Sequence, residues 1–191
     1  MNLQLTNLEL ILIATALVVM VGAIAGVYFQ RRRTATADLR QKFGLEYERA
    51  VKKQGSERAG EAKLLDREKR VEKLNIRDLE PAERVRYLEQ WKTVQAHFVD
   101  SPTAALTQAD ELVTSLMQSR GYPVSDFEQR AADISVDHPK VTENYRVAHA
   151  IALRLEKSKT TTEDLRTAMI HYHSLFDELV QAGVPDEKVA A

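Results

Sequence analysis

The chain has 191 residues, 44% of them hydrophobic and 29% charged, with seven glycines, five prolines and no cysteine. These totals fit one folded domain with appendages and exclude collagen-like and low-complexity chains. Without cysteine there is no disulfide framework, no thiol nucleophile and no cysteine-based zinc site. The formal net charge of −1 hides a division: Gln30 to Arg77 carries 15 Lys/Arg against 8 Asp/Glu, and Asp78 to Ala191 carries 12 against 19. A basic stretch precedes an acidic one.

After a short N-terminus of residues 1–9, Leu10 to Phe29 runs for 20 residues without a charge, "LILIATALVVMVGAIAGVYF". At ~1.5 Å per residue a helix of that length covers about 30 Å, the hydrocarbon thickness of a bilayer. The pattern predicts a transmembrane helix over residues 10–29, whose backbone satisfies its own hydrogen bonds. A cleavable signal peptide is the alternative, because Ala23-Ile24-Ala25 has the small-x-small form of a cleavage site. A signal peptide carries its positive charge before the apolar region, whereas here Arg31, Arg32 and Arg33 follow it. Retention is the expectation. The same arginines predict a single-pass protein of the inner membrane, N-terminus out and residues 30–191 cytoplasmic, with anionic lipid headgroups as their partners. Gly22 and Gly26 make a small-xxx-small pair through which two such helices could approach.

Residues 30–80 read as a basic helical stalk. Leu39, Phe43, Tyr47, Ala50 and Val51 recur at helical spacing from about Thr36 to Lys53, and Gly55-Ser56 interrupts the helix. Beyond it Leu64, Val71 and Leu74 form a thin stripe among charges, which a solvated helix or one pairing with a partner would show. Whether this stalk docks on residues 81–182 is open from sequence.

Residues 81–182 carry the strongest stripes and predict a bundle of about four helices around one modest core. Pro81 opens the first, which is expected to bury Leu88, Trp91, Val94 and Phe98 with Tyr87 alongside. Ser101 and Pro102 open the next, whose face runs from Leu106 to Met117 and stops at Gly121. Ser125 and Glu128 have the spacing of a capping box for a short helix. Two further helices complete the bundle, one with Tyr145, Ala148 and Ile151 on its apolar side. The last, from Thr161 or Thr162, carries Tyr172, Leu175 and Phe176 and is stopped by Gly183 and Pro185. Residues 183–191 read as a flexible tail. No segment alternates with period 2, so the expected class is all-α, with a single N-terminal transmembrane helix, a stalk and a bundle.

The stretches "FGLEYERAV", "WKTVQAHFVDSP", "RGYPVSDFEQRAADISVDHPKVTENYRVAH" and "TEDLRTAMIHYHSLFDEL" resemble a family of small, uncharacterised, single-pass bacterial membrane proteins. That resemblance implies a bacterial source. It brings no reaction and no catalytic residue.

Chemistry is thin. His138, His149, His171 and His173 lie in the second half, but His171 and His173 stand about 200° apart around a helix and cannot share one ion. No glycine elbow surrounds a serine and no Gly-rich phosphate loop occurs. The stalk's cations are interleaved with Glu and Asp, which argues against nucleic acid. No cofactor, metal or catalytic residue is expected, and the favoured function is a non-catalytic, membrane-tethered interaction or scaffold module. Its partner would be a second copy or another protein. The alternative is a sensor or enzyme with a polar site in residues 122–139, built from Asp126, Asp133, Asp137 and His138. A pocket joining those four would favour the alternative. Their use in caps, beside an open apolar groove elsewhere, would favour the module.

Overall fold

The computed structural model describes residues 7–123, 125–155 and 160–183, with side chains from residue 15 onward. All elements among the described residues are helices: α1 (Asn7–Phe43), α2 (Leu45–Gln54), α3 (Glu57–Val71), α4 (Pro81–Asp100), α5 (Pro102–Ser119), α6 (Phe127–Asp137), α7 (Pro139–Leu155) and α8 (Thr162–Gln181). They divide into two compact units, one ending at Gln41 and the other starting at Lys42.

The first unit is most of α1. Its large apolar side chains from Leu17 to Phe29 are exposed, and a Cβ added at Gly22 or Gly26 would meet nothing within 4 Å. Among the described residues no helix is long and apolar enough to cross a membrane. The finding corrects the expected transmembrane helix at 10–29 and, with it, the single-pass, membrane and inner-membrane assignments and the N-out orientation. Residues 1–6, the side chains of residues 7–14 that begin the apolar run, and the tail from residue 184 lie outside the described residues.

In the second unit, α4, α5, α7 and α8 pack around one core, with α6 laid on α7. Residues 81–182 thus hold five helices, the four of the bundle and the short α6. On α4 the buried positions are Tyr87, Trp91 and Val94, while Leu88 is 39% exposed. Trp91 and Val94 keep the expected phase, and Tyr87 takes the core place expected of Leu88, its hydroxyl finding Ser119 Oγ at 2.7 Å and the Ser115 carbonyl at 3.1 Å. A tyrosine with its hydroxyl satisfied buries more surface than a leucine. Trp91 lies against Phe176 and His173, with ring centroids at 4.6 and 5.1 Å.

Helix ends follow local rules. Pro81 and Pro102 occupy first-turn positions. Thr161 and Asp164 form a reciprocal capping box on α8, with Asp164 N donating to Thr161 Oγ1 at 3.1 Å and Thr161 N donating to Asp164 Oδ2 at 2.9 Å. For α6 the cap is Asp126 rather than Ser125: its carboxylate accepts from Gln129 N at 2.9 Å. Ser101 precedes α5 without a side-chain capping bond.

From Lys42 onward, the segment expected to be a stalk is docked within the second unit. Gly44, at φ 51, ends α1 one residue before α2, and Gly55, at φ 76, turns the chain into α3. The resulting α2–α3 hairpin packs α3 on α6 and α2 on α7. Gly60 permits the close approach within the hairpin, since a Cβ there would come within 2.8 Å of the Val51 backbone. Phe43, Tyr47, Ala50, Leu64 and Val71 are buried in this part of the unit but are not members of the main core cluster. Between the two apolar clusters lies a layer of charge.

Candidate functional site

That layer is built from facing turns. Glu46 stands in the first turn of α2, and Arg67 and Arg70 share a face of α3 by their i,i+3 spacing. Asp133 and Ser135 come from α6 and Arg146 from α7. Glu46 is 1% exposed. It accepts from Arg146 Nε at 2.6 Å and Nη2 at 3.3 Å, and from Arg67 Nη1 at 3.0 Å. Arg67 Nη1 also reaches Ser135 Oγ at 3.2 Å. Arg70 holds Asp133 through Nε at 2.8 Å and Nη2 at 2.5 Å, and Gln129 Nε2 supports the same carboxylate at 2.9 Å.

Burial by itself pushes the Glu46 carboxyl up, but the hydrogen bonds and charge of Arg146 and then Arg67 outweigh it and hold the group below its ordinary value. Arg49 and Arg146 extend the layer outward, to Glu143 at 2.7 Å and Glu128 at 3.0 Å. Nothing in the stripe pattern announces these residues, because charged side chains on a helix are ordinarily solvated.

The four residues expected to make a polar site are not brought together. Asp126 caps α6 and borders a small cleft beside the hairpin. Asp133 is buried against Arg70. Asp137 and His138 both line a separate open cleft of about 550 Å³, with Tyr122, Arg120 and Lys42. There the Tyr122 hydroxyl donates to Asp137 at 2.8 Å, and burial, then the Asp137 charge, push the phenol well above its usual range. A guanidinium only donates, so the 3.4 Å contact from Arg120 Nη1 makes His138 Nε2 the acceptor. His138 Nδ1–H then donates to Glu178 at 3.0 Å. Both ring nitrogens of His138 are thus occupied.

The other histidines are spent on packing. His149 stacks on Phe127 with centroids 3.6 Å apart, His171 Nδ1 pairs with Asn144 at 3.1 Å, and His173 lies on Trp91. Among the described residues no group of three or more His, Asp or Glu could hold a metal ion. Arg31, Arg32 and Arg33 are exposed on α1.

An apolar surface remains on α7. Leu153, 48% exposed, separates two clefts of about 430 and 460 Å³. One is lined by Leu106, Ala152 and Leu155, with Asp110 and Glu111 at its edge. The other is lined by Phe127 and Ala150 together with the charged Arg49, Asp126, Glu128 and Arg146. His149 borders both. Comparison with family models, with curated proteins and with solved structures finds no match, so the functional reading rests on this geometry.

Proposed function

We propose that the chain is a non-catalytic helical interaction module that engages a protein partner, a second copy included, through the Leu153 face of α7. The observation that carries the reading is a division of labour. Asp126, Asp133, Asp137 and His138 are each committed to a cap or an internal partner, while Leu153 stands open between two clefts with apolar walls. A half-exposed leucine beside such walls is the arrangement of an anchor residue.

The test is a photo-crosslinking amino acid placed in cells at position 153 and, for comparison, at Val99, which is 82% exposed and borders neither of those clefts. The expected result is one discrete adduct from position 153, absent at 99 and lost when Ala150→Glu is added. Equal, diffuse labelling from both positions overturns the reading. The competing reading, a sensor or enzyme, draws on the larger cleft that Asp137 and His138 border. It is favoured if a small molecule protects that cleft and His138→Ala abolishes the protection.

A further inference from the structure

We infer that the seam between α3 and the start of α6 is a binding site for a small phosphate-bearing anion, either free phosphate or a soluble phosphomonoester. The observation that leads there is the state of Arg67. The residue is 7% exposed, and its only hydrogen bonds among the described residues leave through Nη1, to Glu46 and Ser135. Its Nε–H is buried without a partner, and no hydrogen bond from Nη2 occurs among the described residues. The Nε–Nη2 edge is the fork that grips an oxyanion with two parallel bonds. A buried donor left unmade is costly, and the cost disappears when an acceptor arrives.

A cavity of about 210 Å³ is lined by Arg67, Arg70, Lys53, Lys63 and Gln129, with Asp126 and Glu128. Lys63, Arg67 and Arg70 fall on one face of α3 at i, i+4 and i+7, so three cations converge from a single rigid element. Lys63 is exposed and has no hydrogen bond or ion pair among the described residues. A carboxylate offers two oxygens, enough for one guanidinium. A phosphomonoester offers three, free phosphate four, and either carries up to two charges, which matches a fork plus ammonium groups. Asp126 and Glu128 stand on the same wall, where they would repel an extended polyanion and accept from hydroxyl groups of a small phosphomonoester.

The test uses the full chain. Backbone amide shifts are followed by NMR during titration with sodium phosphate, with glycerol 3-phosphate and with sodium chloride at matched ionic strength. The expected result is saturable movement confined to residues 60–71 and 126–133 for the two phosphates, with none for chloride. Tighter binding of glycerol 3-phosphate than of phosphate would assign the site to a phosphomonoester, and the reverse order would assign it to free phosphate. Lys63→Ala, on an exposed helix position, should leave the melting temperature unchanged while weakening binding by about tenfold, the worth of one charge-assisted hydrogen bond. Arg67→Lys keeps the charge, loses the fork and should abolish saturation. Shifts that match those in chloride, or affinity unchanged in Lys63→Ala, would overturn the assignment.

Discussion

Arg146 and Glu46 are 100 residues apart in sequence and joined at 2.6 Å in a place that excludes water from both side chains. The contact fixes α2 on α7, and Arg67 fixes α3 through the same carboxylate at 3.0 Å. Removing Glu46 leaves two buried guanidiniums facing each other. Glu46→Ala should cost about 3–5 kcal/mol, the usual penalty for breaking a buried pair from one side. Urea denaturation of the variant checks it, and a loss under ~1 kcal/mol would mean that water already enters the layer.

The same pair sets an acid limit. Glu46 has a folded-state pKa below its ordinary 4.5, so its contribution to stability is complete above that value and is lost as pH falls through the folded value. Stability measured by urea midpoint from pH 7 downward should fall below about pH 4.5. In Glu46→Gln, which cannot titrate, the fall should be shallower than in the wild type. Equal slopes would assign acid unfolding to other carboxylates.

At the alkaline end the signs reverse. Tyr122, Tyr145 and Tyr172 are raised above 10.0, by burial first and then by Asp137 for Tyr122 and Asp110 for the other two. A folded state that holds phenols neutral is fully stabilised below their unfolded value near 10 and loses that stabilisation above it. Tyrosinate absorbance should therefore rise together with loss of helical circular dichroism, not before it. Tyr172→Phe removes the bond to Asp110 at 2.9 Å, costing about 1 kcal/mol at neutral pH, and should make the alkaline loss less steep.

Much of this is legible in the chain and some is not, for physical reasons. The stripes through Trp91, Leu116, Tyr145, Ile151, Leu175 and Phe176 mark residues that are buried, because their burial follows directly from helical period and hydrophobicity. Leu64 and Val71 form a thin stripe; they are buried within their own chain, on a hairpin held down by a charged layer. That layer has no visible signal, since Glu46, Arg67 and Arg146 look on a helical wheel like any solvated charge, and only the tertiary fold pairs them. Asp126 and Ser125 are both good caps by composition, and the one-residue choice depends on where α6 begins. The candidate polar site fails for a related reason. Asp126, Asp133, Asp137 and His138 are close in sequence, but on α6 and its ends they meet different partners.

Gly121 offers a test of backbone constraint. It has φ 97, and an added Cβ would lie 2.2 Å from the Asn75 carbonyl oxygen, in a turn where Arg77 N donates to the Arg120 carbonyl at 2.8 Å. Both the conformation and the space exclude a side chain. Gly121→Ala should destabilise by about 2–3 kcal/mol or more, whereas Gly22→Ala, with nothing within 4 Å of the new methyl, should be neutral. Equal effects in thermal denaturation would show that the turn shifts to accept the methyl.

The final expectation concerns how far the two apolar clusters depend on each other. The main core is drawn from Leu79 to Val180, and no residue of the α2–α3 hairpin belongs to it. Deleting the hairpin uncovers Asp133, Ser135 and Arg146, and these polar groups can be hydrated once exposed. A fragment of residues 77–183, which keeps the Arg77–Arg120 backbone bond, should therefore fold as a helical domain. Trp91 is 3% exposed between Phe176 and His173, so Trp91→Ala should cost about 3–5 kcal/mol. That cost should be the same in the fragment and in the full chain, because the ring's surroundings lie wholly within α4 and α8 and their core neighbours. Urea denaturation of the four proteins decides it. A fragment without helical circular dichroism would make the charged layer part of the folding unit, and a smaller Trp91→Ala cost in the fragment would show that the core loosens without the hairpin.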